Sequence, residues 1–124
     1  MSRVSPPPAQ FDLEVETLII GAGAGGLVAA LAAHENGEKV LVIEADAVPS
    51  GSTALSAGLI PAAGTKAQAE AGIEDSPAIF ARDIQAKAHD ENDPRLVGAM
   101  ARVSAQAIDW LSETHHLPFS VVTD

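Results

Sequence analysis

A glycine fingerprint set between two apolar runs is the feature that most limits what this chain can become. Gly21, Gly23 and Gly26 read G-x-G-x-x-G. Ahead of them, Thr17-Leu18-Ile19-Ile20 suits a short buried strand. Behind them, Leu27 to Glu35 suits a helix, with Asn36-Gly37 as its C-cap. Lys39-Val40-Leu41-Val42-Ile43 then reads as a second buried strand, and Glu44 stands at its end. Strand, tight turn, helix, parallel strand, acid is the order of a dinucleotide-binding βαβ unit. A membrane helix competes with this reading, because Val15 to Ala33 is mostly apolar and Gly21 and Gly25 form G-x-x-x-G. The density of glycine in its first half, the β-branched lead-in and the second strand argue against a span. A glycine-rich helix-packing segment is the plainer alternative, and it leaves the terminal acid unexplained.

Each position has a physical task. Gly21 lets the chain turn sharply out of the strand. Gly23 has no side chain, so a pyrophosphate can approach the backbone. Gly26 lets the helix lie close on the sheet. The first N–H groups of the helix then face the phosphates, and the helix dipole favours negative charge there. Glu44 follows Gly26 by 18 residues, near the spacing of about 20 at which an acid meets the adenosine ribose. An acid there disfavours a 2′-phosphate.

Composition narrows the remaining classes. The chain has 124 residues and a net charge of −10, without a basic cluster. That speaks against nucleic acid and anionic membrane as partners. It has no cysteine, which removes disulfides, thiolate metal sites and a cysteine nucleophile. The opening MSRVSPPPAQ is polar and proline-rich, with no apolar core of signal-peptide type. Residues 1–14 are therefore expected to be a disordered leader to residues 15–124, and the location is expected to be cytoplasmic.

Beyond Glu44, Ala45 to Gly64 reads as a loop rich in Ser, Gly, Pro and Ala, with small side chains suited to close ligand approach. Ser76-Pro77 and Asp93-Pro94 each place a capping side chain before proline at the first helical position. They predict helices over Pro77 to Ala88 and Pro94 to Thr114. The first should bury Ile79, Phe80 and Ile84. On the second, Leu96, Met100, Val103, Ala107 and Leu111 share one face, flanked by Val97, Ile108 and Trp110. Phe119-Ser120-Val121-Val122 suggests part of a third strand. So few strands cannot hide both faces of a parallel sheet. The chain is thus expected to be the beginning of a longer protein or one part of a split one, incomplete alone.

The βαβ unit, the segment SGSTALSAGLIPAAGTK, the start GIEDSPAIFARDI and the run NDPRLVGAMARVSAQAIDWL occur in that order. Together they resemble the N-terminal part of the flavoproteins of the fumarate reductase and succinate dehydrogenase superfamily. The resemblance is to the soluble branch with the fumarate reductases, urocanate reductase and the 3-ketosteroid dehydrogenases, and it covers about Leu18 to Leu111. It implies an α/β fold, a partial Rossmann-like FAD-binding domain made of the βαβ unit, the loop and two helices. It implies FAD as cofactor, with Gly21, Gly23, Gly25 and Gly26 at the pyrophosphate turn and Glu44 at the ribose. Where this branch often reads G-G-N-T or G-G-N-S, the chain has Ser50-Gly51-Ser52-Thr53, so Ser52 and Thr53 are the matching loop residues. Ala57 and Gly58 match the small residues that pass near the flavin, and Ser56 is a weaker candidate. No histidine stands in the loop, so the FAD is expected to be non-covalent.

The resemblance also implies hydride transfer at an activated C=C or CH–CH bond. The family's catalytic residues match nothing in this chain, so the small-molecule substrate is expected to be held by residues further on or by a complementing chain. Arg82, Arg95 and Arg102 are most simply solvated helix residues. His34, His89, His115 and His116 lack metal-ligand spacing, and no G-x-S-x-G elbow is present. A nicotinamide-binding module and a non-catalytic subunit of a split flavoprotein remain the alternatives.

Overall fold

The structure is a computed structural model that describes residues 6–122. The chain divides into two compact units, residues 1–59 and 60–124. Pro6 to Glu14 carries no helix or strand and is exposed, whereas residues 1–5 of the expected leader lie outside the described residues.

The first unit is the βαβ element. Strands β1 (Thr17–Ile20) and β2 (Val40–Ile43) pair in parallel, with Thr17 opposite Val40 and Ile20 opposite Ile43. Helix α1 (Ala24–Glu35) crosses between them and packs on both strands. It starts three residues before the expected Leu27. The resemblance assigns Gly25 and Gly26 to the pyrophosphate turn. Here they form the first helical turn, and the Gly23 carbonyl accepts the Leu27 N–H at 3.0 Å. At the other end Gly37 takes the expected left-handed conformation, φ 84°. The loop after Glu44 is not wholly irregular, because Ser52–Leu55 forms the short helix α2.

The second unit is helical. Helices α4 (Pro77–Lys87) and α5 (Pro94–Glu113) pack against each other and begin at the expected Ser76-Pro77 and Asp93-Pro94 caps. Ser76 Oγ accepts the Ile79 N–H at 3.2 Å, and Asp93 accepts the Arg95 N–H at 2.8 Å. A further helix, α3 (Lys66–Glu70), was not anticipated. Its signal is in the sequence: Thr65 and Gln68 form a reciprocal capping box. Asp109 of α5 also accepts the Lys66 N–H at 3.1 Å.

Three further expectations fail wholly or in part. Phe119–Val122 forms no strand; the described part of its unit offers helices and loops, and no strand edge to pair with. Along most of α5 the buried face is turned by one position from the expected stripe, which it meets at Leu111. Val97, Ala101, Ser104 and Leu111 are buried, while Leu96, Met100 and Val103 are exposed. The reason is close packing on small side chains. Ala63 is 0% exposed, and its N–H reaches Ser104 Oγ at 3.3 Å. The Ser104 hydroxyl donates in turn to the Ala101 carbonyl at 3.0 Å. A bulky apolar face would hold that loop away. On α4, Phe80 and Ile84 are half-buried, but Ile79 is exposed. No helix among the described residues is long and apolar enough to cross a membrane.

Candidate functional site

The site is the turn that joins β1 to α1, together with the end of β2. Gly21 leaves the strand with φ 103°, a conformation that L side chains rarely adopt. Its N–H still completes the sheet, donating to the Ile43 carbonyl at 2.8 Å. The return of the chain then brings Gly26 hard against the turn. A Cβ on Gly26 would lie 2.1 Å from the Gly21 carbonyl oxygen and 3.2 Å from Ile19 Cγ2. That contact is backbone on backbone, so nothing can swing aside. Gly25, by contrast, has open space where a Cβ would stand. A Cβ on Gly23 would meet Thr53 Oγ1 at 3.6 Å, an ordinary contact. Among the described residues, nothing fills the room at Gly23.

Helix α1 is left without a local cap. Its N-cap is Gly23, which has no side chain, and its first turn contains no acid. The N–H groups of Gly23, Gly25 and Gly26 have no acceptor among the described residues. They lie at the positive end of a 12-residue helix, the arrangement that receives phosphate. Two donors of the turn are already engaged. Ala24 N–H donates to Thr53 Oγ1 at 3.1 Å, and Ala22 N–H donates to Glu44 Oε2 at 2.7 Å. Thr53 is brought over the turn by α2, at whose N-terminal end it sits.

Glu44 is held by backbone on both of its oxygens. Besides Ala22, the N–H groups of Ala45 and Asp46 donate to Oε1, at 2.7 and 3.3 Å. These bonds favour the ionised form and pull its pKa below the ordinary glutamate value; Ala22 contributes most, then Asp46 and Ala45, against a smaller opposing effect of burial. The acid is therefore ionised at neutral pH and remains exposed, free to meet hydroxyl donors.

The structure brings together Gly21, Gly23, Gly25, Gly26, Glu44 and Thr53. Ser52, at the start of α2, and Ala57 and Gly58 are exposed, and none of the three hydrogen-bonds to the turn. Gly58 takes a left-handed φ of 80°, and its N–H donates to Ser56 Oγ at 3.1 Å. Sequence reasoning missed Ala22. Its position between two fingerprint glycines was the available signal, but a backbone N–H carries no side-chain mark. The open N–H groups, the close turn and the ionised acid fit a dinucleotide, and the fold with this site defines a dinucleotide-binding βαβ protein.

Comparison with known proteins specifies the kind. Residues 16–124 match the FAD binding domain family. The chain is 35% identical over 98 residues to the fumarate reductase (cytochrome) of Shewanella frigidimarina, covering 79% of this chain and 17% of that one. It is 32% identical over 108 residues to the urocanate reductase of Eggerthella lenta, covering 87% of this chain and 18% of that one. Among solved structures it resembles the 3-ketosteroid-Δ4-(5α)-dehydrogenase of Rhodococcus jostii, with a TM-score of 0.79 and 28% identity over 90% of this chain and 23% of that one. The chain belongs to the FAD binding domain family, in the fumarate reductase and succinate dehydrogenase flavoprotein superfamily, and the family's cofactor is FAD. It spans less than a quarter of the length of each of these relatives.

Proposed function

We propose that this chain holds the adenosine diphosphate half of FAD for an oxidoreductase that acts on an activated C=C or CH–CH bond. The observation that carries the reading is the α1 N-terminus: three N–H groups without acceptors among the described residues, beside an ionised Glu44. Gly23, Gly25 and Gly26 would bind the pyrophosphate through backbone N–H, with Thr53 beside them, and Glu44 would accept a ribose hydroxyl. Ser52, Ala57 and Gly58 would contact the flavin side by resemblance alone. When bound, FAD supplies hydride acceptance and donation, while the protein supplies position and charge. No catalytic residue is assigned to this chain.

The substrate, a small unsaturated molecule or its reduced counterpart, would be held by residues outside these 124. A complementing chain is the partner this reading calls for when these residues act by themselves, and a non-catalytic subunit is then the second reading. The observation in its favour is apolar surface: Leu96 on α5 is 71% exposed and Ile20 on β1 80% exposed. A cytoplasmic location belongs to the same proposal, in keeping with a sequence that has no cysteine.

Titrating the purified chain with FAD, FMN and NAD, followed by flavin fluorescence and calorimetry, tests the proposal. FAD is expected to bind and ADP to compete with it. FMN, which lacks the adenosine diphosphate, is expected not to bind. NAD binding tighter than FAD would favour a nicotinamide module. Turnover of fumarate by the chain alone would refute the assignment of the substrate site elsewhere.

A further inference from the structure

Resting on the FAD reading, we infer that Glu44 does two jobs at once: it straps the glycine turn shut through Ala22, and it offers the nucleotide's ribose a single acceptor position. An ionised carboxylate has about four acceptor positions, two on each oxygen. Oε1 uses both of its own on Ala45 and Asp46. Oε2 uses one on Ala22 at 2.7 Å and keeps one. A ribose presents two hydroxyls, so one of them must find a different acceptor or water for as long as the strap holds.

The strap matters because of where Ala22 lies. It is the residue between Gly21 and Gly23, the two most pliant positions of the turn, and it is only 7% exposed. Water therefore has little access to replace a lost acceptor, and an unmade bond to a buried N–H is costly. The start of the turn is pinned by the Gly21 bond to Ile43 and its end by the Gly23 carbonyl bond to Leu27. The middle is pinned by Glu44. Glu44 is thus a positioning residue for the phosphate-facing N–H groups of Gly23 and Gly25, which it does not itself touch. The nearest other acid in sequence, Asp46, is differently employed, because its carboxylate takes the Ser50 hydroxyl.

Two measurements on the full chain test this, and the first needs no ligand. In the 15N-labelled chain the Ala22 amide is expected to exchange slowly with deuterium, and its shift to follow the titration of Glu44 as pH falls. In Glu44→Gln that pH response should vanish, while Asp46→Asn should keep it. An Ala22 amide that exchanges as freely as an unfolded one, or that ignores Glu44, overturns the strap whatever the chain binds. The second measurement compares ADP with 2′-deoxy-, 3′-deoxy- and 2′,3′-dideoxy-ADP. One of the two monodeoxy analogues should bind about tenfold more weakly and the other about as well as ADP. Glu44→Ala should weaken even dideoxy-ADP, which has no hydroxyl for the acid to accept. Equal losses for both monodeoxy analogues, or dideoxy-ADP binding untouched by Glu44→Ala, would refute the inference. No binding of any adenine nucleotide, with the Ala22 response intact, would sink the FAD reading and leave the strap standing.

Discussion

The helices of the two units begin in opposite ways. Helices α3, α4 and α5 each bring their own cap: Thr65 with Gln68, Ser76 followed by proline, and Asp93 followed by proline. Helix α1 starts on Gly23, with no cap of its own and no acid in its first turn. The short helix α2 likewise starts on a glycine, Gly51, without a side-chain cap, so both uncapped helices belong to the first unit. The donors left open on α1 are those that a phosphate would use, and a local Ser or Asp there would compete with it. Closed helix starts thus belong to the second unit, and open ones to the unit that carries the proposed site. Thr53 and Glu44 reach in from later segments and secure the turn from outside, leaving the phosphate-facing donors clear.

The strongest challenge to this contrast is a methyl group placed on either of two neighbouring glycines of α1. Gly26→Ala would put a Cβ 2.1 Å from the Gly21 carbonyl oxygen. Overpacking costs about 1–3 kcal/mol and sometimes more, and here the turn itself must shift, so FAD binding should be lost along with stability. Gly25→Ala meets nothing within 4 Å and should stabilise the helix, by up to about 1 kcal/mol. Urea unfolding of the two variants is the measurement. Equal effects would mean that the close turn does not exist in solution.

A finer version compares the two kinds of cap. Ser76→Ala removes a local cap from α4 and should cost about 1 kcal/mol, with FAD affinity unchanged. Thr53→Val removes the hydroxyl that accepts the Ala24 N–H and should cost a similar amount, about 1 kcal/mol. It should weaken FAD binding as well, and Thr53→Ser should restore both. Chemical denaturation paired with flavin titration separates them. If Thr53→Val leaves FAD binding unchanged, Thr53 is a cap of the same kind as Ser76.

What could be read from the sequence follows the same division. The βαβ unit announces itself because its constraints are local: glycines where the backbone turns, apolar runs where strands lie, an acid where a strand ends. The starts of α4 and α5 are equally local, since a capping side chain before proline has few other uses. The face of α5 is not local. Val97, Ala101 and Ser104 are buried where the loop at Ala63 meets small side chains, and periodicity weighted by hydrophobicity points to Leu96, Met100 and Val103, one position away. A strand at Phe119–Val122 fails for a related reason, because strand propensity does not supply a neighbour to pair with. The fingerprint glycines mark the place of Ala22, but its bond to Glu44 depends on a register that the paired strands set.

The smallest effect expected here is also the one that reads both regions in a single experiment. Glu44 and Asp93 both have pKa values below the ordinary carboxylate range when folded. Backbone bonds led by Ala22 lower the first, and the Arg95 guanidinium, then backbone N–H groups, lower the second. A depressed folded pKa means that each contribution is complete above the ordinary value of the unfolded chain and is lost as pH falls through the folded one. Glu44 is exposed and Asp93 half-buried at the surface, so screening keeps the effect modest and salt-sensitive. The urea midpoint should therefore fall as pH drops below the ordinary carboxylate range, and Glu44→Gln and Asp93→Asn should each flatten part of that slope. The two should part company with ligand present. Adding ADP should shift the acid limb that depends on Glu44, whose carboxylate would face the ribose in the proposed complex, and leave the Asp93 limb in place. A ligand that moves both limbs equally would show that the capped helices and α1 are not distinct in function.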